Sequence, residues 1–328
     1  MPHRVRSGNV TTERGSFAVL EAQPGHGICE RRPALLVPGY TGSKEDFLPV
    51  LEPLAAAGRT IVALDLRGQY QSPHAPDRHG YAPAELAADL LAVADAIDPD
   101  APGADAPGPD APGPGTGGGK GGVHLVGHSM GGLIARDAAL LPTGRFLSLT
   151  LLGSGPGAIA GQRAASLREV LSVLDPQEGR DGDDADELRA LIALLWRDRL
   201  EPMARDDGTD ERIIAFLRER THRTCPIGLI AMARYLLTCP DRTDELAALA
   251  RPPSPSRPAR LPVMVIYGEN DDAWQPAAQD RMARRLGAER ACIPGAAHSP
   301  AVEAPETTAR ALTTFWNAAE RRRPASPR

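Results

Sequence analysis

The sequence predicts an α/β fold: a mostly parallel central sheet flanked by helices, with an inserted helical cap. Two observations predict the sheet. From residue 33 onward, short β-branched or Leu-rich runs alternate with longer stretches of helical periodicity, the rhythm of buried strands joined through covering helices. Those runs are mostly apolar and read as buried strands. A third observation predicts the insertion: between residues 156 and 260 the strand pattern stops and only helical periodicity continues.

Taken in order, the predicted strands are Ala34-Leu35-Leu36-Val37, Thr60-Ile61-Val62-Ala63-Leu64, Val123-His124-Leu125-Val126, Leu147-Ser148-Leu149-Thr150-Leu151-Leu152 and Val263-Met264-Val265-Ile266-Tyr267. The earlier run Phe17-Ala18-Val19-Leu20 adds edge strands. Helices are predicted over Phe47 to Ala57, Ala84 to Ile97, Leu133 to Leu141, Ala277 to Leu286 and Thr307 to Ala319, where apolar residues recur at the helical period. Within the insertion, Leu188, Leu191, Ile192 and Leu195 fall on one helical stripe, and Thr224 to Thr238 is apolar on most faces. Trp196, Met232 and Tyr235 are candidates for lining a pocket under such a cap, although apolar residues at this spacing more often pack among themselves.

This gives a first core segment at 1–155, the helical cap at 156–260, a second core segment at 261–320 and a disordered tail at 321–328. Residues 98–122, rich in Pro, Gly and Asp, have too little apolar surface to offset the entropy of ordering and are expected to form a flexible loop. The glycines near Lys120 do not form a phosphate loop, because Gly121 and Gly122 stand where that motif needs Ser or Thr after the lysine. The run Arg251 to Arg260, with four prolines, reads as the return linker.

A chain of 328 residues can bury a full core. Its formal charge of −5 supplies no basic field for nucleic acid, so none is expected as a partner. No apolar run is long enough to span a bilayer, and no charged segment followed by an apolar one opens the chain. The expectation is a soluble, cytoplasmic protein with no membrane partner. Cys29, Cys225, Cys239 and Cys292 form no metal-ligand spacing and are expected to be free thiols.

The chemistry concentrates at Gly127-His128-Ser129-Met130-Gly131, a G-x-S-x-G between a predicted strand and a predicted helix. A serine on that turn stands exposed above the sheet as a nucleophile. The Met130 N–H, at the start of the helix, points where negative charge develops on a tetrahedral intermediate.

With this motif in place, residues 33–154 and 261–320 resemble the α/β-hydrolase fold superfamily. The resemblance implies a catalytic acid in the loop Gly268-Glu269-Asn270-Asp271-Asp272, similar to the family's G-x-x-D, with Asp271 preferred and Asp272 a close rival. It implies a general base at His298, in the loop Ile293-Pro294-Gly295-Ala296-Ala297-His298. It also implies a second oxyanion donor, the Tyr40 N–H in Pro38-Gly39-Tyr40-Thr41-Gly42, where Pro38 replaces the family's common histidine. Asp65-Leu66-Arg67-Gly68-Gln69-Tyr70-Gln71-Ser72 resembles the family's D-x-R-G-x-G-x-S turn, with Tyr70 in place of glycine, and reads as structural. Serine as nucleophile argues against the dehalogenase and epoxide hydrolase branches, which use aspartate.

The implied activity is serine hydrolysis of an ester, thioester, lactone or related acyl bond in a small-molecule acyl substrate, with no cofactor and no metal. Acyl transfer, C–C hydrolysis or a lyase step on the same residues, and a non-catalytic ligand-binding protein, are the alternatives. The remaining histidines, His128 and His124 included, read as packing or surface residues.

Overall fold

Residues 4–25, 31–98, 122–175, 185–250 and 261–322 are described by the computed structural model. The expected loop at 98–122 (apart from its two end residues), the linker at 251–260, most of the tail, His3, His26 and Cys29 lie outside them.

Eight strands among the described residues make one sheet: β1 (Val5–Thr12), β2 (Gly15–Ala22), β3 (Ala34–Val37), β4 (Ile61–Leu64), β5 (Val123–His128), β6 (Phe146–Leu152), β7 (Val263–Gly268) and β8 (Glu289–Ile293). Their spatial order is β1-β2-β4-β3-β5-β6-β7-β8. β1 and β2 form a hairpin, β2 pairs antiparallel with β4, and every later pairing is parallel. The five predicted interior strands are present, and the Phe17 run is β2. β1 and β8 go beyond the apolar runs read from the sequence, because edge strands half exposed to water carry no such run: β8 reads Glu-Arg-Ala-Cys-Ile with only Ile293 buried.

The helices are α1 (Leu48–Ala56), α2 (Pro83–Ile97), α3 (Met130–Leu140), α4 (Gly161–Leu174), α5 (Ala185–Leu195), α6 (Glu201–Asp206), α7 (Glu211–Arg223), α8 (Pro226–Thr238), α9 (Thr243–Ala250), α10 (Pro276–Leu286), α11 (Pro300–Glu303) and α12 (Pro305–Arg321). Neighbouring strand residues point to opposite faces of the sheet, which builds two cores. Leu35, Leu125 and Val265 pack with Leu90, Leu133 and Met282 of α2, α3 and α10. Leu36, Val126 and Ile266 pack with Leu54, Phe315 and Trp316 of α1 and α12 on the other side. Each fully buried large apolar side chain contributes roughly 1.5–3 kcal/mol. Helices α4 to α9 fill the segment between β6 and β7, and their own cluster joins Leu174, Leu188, Ile192, Leu229 and Ile230.

A buried polar cluster pins α12 beneath the sheet. His124 Nε2 lies 3.1 Å from Glu320 Oε1, and Arg59 donates to the same oxygen at 2.8 Å. Burial pushes the Glu320 carboxyl up, but the His124 hydrogen bond and the Arg59 guanidinium outweigh it and hold it down at about 2. A carboxyl depressed by folding stabilises the fold above its unfolded value near 4.3, and that stabilisation is lost as pH falls toward 2. Glu320→Gln is therefore expected to lose about 2 kcal/mol at neutral pH, a figure discounted for partial exposure. The deficit should shrink as pH falls from 5 toward 2, as read by urea unfolding. A deficit that stays constant through that range would show that the pair is not its source.

Candidate active site

The parallel strands end at a common edge, and the loops leaving β3, β5, β7 and β8 carry Tyr40, Ser129, Asp271 and His298. Ser129 caps α3 with φ 53° and ψ −123°. A side chain there is strained by roughly 1–3 kcal/mol. Among the described residues the only other non-glycine residues with positive φ are Thr41 and Tyr70, in the loops after β3 and β4, so the backbone strain gathers at one edge of the sheet.

The turn at Ser129 depends on its glycines. A Cβ on Gly127 would lie 2.3 Å from the Gly131 carbonyl oxygen, and one on Gly131 would lie 2.4 Å from that of Pro38. Both obstacles are backbone and cannot move aside. Gly131→Ala is thus expected to cost about 3 kcal/mol or to prevent folding. Gly8→Ala, on the edge strand where a Cβ meets nothing within 4 Å, should unfold within about 0.5 kcal/mol of the wild type. Equal urea midpoints for the two variants would contradict the steric reading.

Ser129 Oγ lies 3.0 Å from His298 Nε2, and His298 Nδ1 lies 3.0 Å from Asp271 Oδ1. The elements that hold these side chains are distinct. Asp271 is buried; its Oδ1 also accepts from the N–H groups of Ala273 and Trp274 at 2.9 and 3.3 Å, and its Oδ2 accepts from Gln279 Nε2 at 2.8 Å. Glu303 of α11 accepts from the backbone N–H groups of Ala297 and Ser299, which flank His298. The carbonyl of His298 accepts from His128 Nε2 at 2.9 Å.

His128 therefore does more than the packing expected of it. Burial, reinforced by the neighbouring His298 ring, pushes the His128 imidazole down to about 4. It is neutral at pH 7 and braces the loop that bears His298 from beneath.

Of the two candidate aspartates, only Asp271 reaches the histidine. The Asp272 side chain is 60% exposed and accepts a two-pronged ion pair from Arg163 of α4 at 2.7 and 2.9 Å. The Arg163 guanidinium holds the Asp272 carboxyl below its usual range.

The Tyr40 loop lies alongside the serine: a Cβ on Gly39 would sit 2.9 Å from Ser129 Cβ. Met130 is the first residue of α3, so its N–H has no acceptor within the helix. The Tyr40 ring packs against both the main core and the cluster of the inserted helices. Tyr70 reaches from the β4 loop into the insertion, where its ring meets Phe216 edge-on at 5.7 Å and its hydroxyl donates to Glu219 at 3.2 Å. Arg220 of α7 pairs with Asp46 at 2.6 Å just beyond the Tyr40 loop. Ser129 is 8% exposed.

Trp196, Met232 and Tyr235 are packing residues. The Trp196 indole donates to Glu201 within the insertion, Met232 joins the main core, and the Tyr235 hydroxyl donates to Asp137 of α3. A groove of about 480 Å3 opens at the opposite end of β3 and β4, with Pro33, Thr60 and Asp98 in its wall and none of the residues above. Among the described residues, no cluster of three or more His, Cys, Asp or Glu is arranged to hold a metal ion, and no helix is long and apolar enough to cross a membrane. Cys225, Cys239 and Cys292 are unpaired thiols.

Residues 34–311 match the model of the alpha/beta hydrolase family. The chain belongs to that family. Among curated proteins, this family member is 33% identical over 129 residues to one from Variovorax paradoxus named "Putative carbamate hydrolase RutD", covering 39% of this chain and 40% of that one. It is also 33% identical over 191 residues to the dihydrolipoyllysine-residue acetyltransferase component of an acetoin cleaving system from Pseudomonas putida, covering 55% of this chain and 42% of that one. The chain thus spans about two fifths of the length of each of these relatives. Among solved structures, the enol-lactonase from Burkholderia xenovorans superposes with a TM-score of 0.63 at 17% identity, covering 94% of this chain and all of the lactonase. At that identity the likeness shows the hydrolase fold alone.

Proposed function

We propose that the protein is a serine hydrolase that cleaves an ester, thioester, lactone or related acyl bond of a small molecule through an acyl-enzyme at Ser129. Ser129 Oγ attacks the acyl carbon while its proton passes to His298 Nε2, and the carbonyl electron pair moves onto oxygen. The N–H groups of Met130 and Tyr40 stabilise that oxyanion. Collapse of the intermediate expels the alcohol or thiol, which takes the proton from Nε2. Water then attacks the acyl-enzyme with His298 as base, releasing the acid and restoring Ser129. Asp271 keeps the Nδ1 proton in place and balances the charge of the imidazolium.

The helical segment at 156–260 serves as the cap, and its contacts to the Tyr40 and Tyr70 loops exclude water from the reacting atoms. The observation that most supports this reading is the unbroken hydrogen-bonded path from Ser129 through His298 to Asp271, at 3.0 Å per step, beginning on a strained turn. The acyl class draws support from the relative named for carbamate hydrolysis.

The test is rapid-mixing hydrolysis of p-nitrophenyl esters from acetyl to hexanoyl, with thioester and lactone substrates in parallel. The expected result is a burst of p-nitrophenol equal to the enzyme concentration and an acyl group recovered on the Ser129 peptide after acid quench. Turnover of these substrates with no acyl group on that peptide would reject the covalent route.

A further inference from the structure

The side chain of Gln69 connects the turn after β4 to the loop after β3. It is 1% exposed, and its Nε2 donates to the Gly39 carbonyl oxygen at 2.8 Å. The rest of the residue is fixed as well. Gln69 Oε1 accepts from the Leu66 N–H at 3.1 Å, its own N–H donates to the Leu66 carbonyl at 2.9 Å, and its carbonyl accepts from the Ser72 N–H at 2.9 Å.

The Gly39 carbonyl belongs to the same peptide unit as the Tyr40 N–H. A trans peptide is planar, so its C=O and N–H point in opposite directions, and holding one aims the other. Hydrogen bonding to the carbonyl also polarises the unit and strengthens its N–H as a donor. The Gly39 oxygen accepts a second bond from the Gly42 N–H at 3.1 Å. The two loops are clamped again at Asp65, which accepts from both the backbone N–H and the Nζ of Lys44 at 2.8 Å.

We propose that Gln69 is a positioning residue for the reaction: through the Gly39 carbonyl it aims and strengthens the Tyr40 N–H toward the oxyanion. The inference rests on the functional reading above. It also accounts for how the loop is braced with Pro38 in the place of a histidine. The effect belongs to the transition state, because a ground-state carbonyl oxygen carries less charge than the tetrahedral oxyanion that the N–H meets.

The experiment compares the wild type with Gln69→Met and Gln69→Glu. Met approximates the shape without the amide, while Glu keeps an acceptor for the Leu66 N–H but sets an oxygen against the Gly39 carbonyl. Three readouts are taken: kcat and KM on p-nitrophenyl butyrate, the affinity of a short-chain trifluoromethyl ketone, and the pH at which the Ser129–ketone hemiketal ionises, followed by fluorine NMR. Thermal unfolding establishes that each variant is folded.

The expected result is a kcat lowered about 10- to 100-fold, part of the cost of losing one oxyanion donor, with KM within about twofold. Ketone affinity should fall by the same factor, and the hemiketal should ionise at higher pH. A folded variant of either kind with kcat within twofold of wild type, or with lowered kcat but unchanged ketone affinity and hemiketal ionisation, overturns the proposal. If one variant fails to fold, the other decides. A wild type that forms no adduct with the ketone overturns the functional reading, and this inference with it.

Discussion

Ser129→Ala is expected to lower ester turnover by about five to six orders of magnitude, with His298→Ala nearly as damaging and the double variant little worse than either. The size follows from what is removed. Without Oγ there is no acyl acceptor, and without Nε2 at 3.0 Å from it there is no base to take its proton. Residual turnover then falls to water attack helped only by the Met130 and Tyr40 N–H groups and by substrate positioning. The variants should fold normally, because Ser129 Oγ is a small group on a turn whose geometry comes from Gly127, Gly131 and the Ser129 N–H bond to the Leu152 carbonyl at 2.9 Å. Stability within about 1 kcal/mol of wild type is expected for Ser129→Ala. A folded Ser129→Ala variant within tenfold of wild-type turnover would reject serine as the nucleophile.

The two neighbouring aspartates should separate just as sharply. Asp271→Asn is expected to lower kcat by about four orders of magnitude, since the amide can present its NH2 to His298 Nδ1 and hold the imidazole in the tautomer that cannot accept from serine. The same substitution also removes the charge that balances the imidazolium. Asp272→Asn is expected to stay within about threefold: its side chain is 60% exposed and its partner is Arg163 on the inserted helices, an ion pair worth at most about 1 kcal/mol. Steady-state kinetics of both variants on one ester decides the matter. A larger loss for Asp272→Asn would exchange the two roles.

The parts of the site written as local patterns were legible in the sequence, and the parts made by tertiary contact were not. Gly127, Ser129 and Gly131 announce a strand-to-helix turn because the close approach of β5 to α3, and of α3 to the end of β3, leaves no room for a Cβ at the two glycines. His298 and the Asp271–Asp272 pair follow strands and could be located through the family resemblance. Which aspartate faces inward depends on the turn that directs the Ala273 and Trp274 N–H groups at Asp271, and no residue type in that loop encodes it.

From sequence alone His128 and Gln69 read as packing and structural residues because their partners are far away in the chain, His298 for one and Gly39 for the other. Tyr70 was legible only as a departure from glycine. Its ring occupies a position with φ 34° and is held there by Phe216 and Glu219 of the insertion, contacts that offset part of the backbone cost. The strands β1 and β8 lack apolar runs because water covers much of their surface. The interior strands needed no such context, since burial on both faces makes most of their residues apolar, with a few buried polar ones such as His124 and Ser148 among them.

The most direct measurement is labelling of the folded wild-type protein with a fluorophosphonate, followed by digestion and mass-spectrometric mapping, with Ser129→Ala and His298→Ala alongside. Nucleophilic action of Ser129 requires one equivalent of phosphonyl group on the Ser129 peptide of the wild type, none on Ser129→Ala and strongly slowed labelling of His298→Ala. Wild-type protein that is folded yet unlabelled at Ser129, while ester hydrolysis persists in Ser129→Ala, would contradict it.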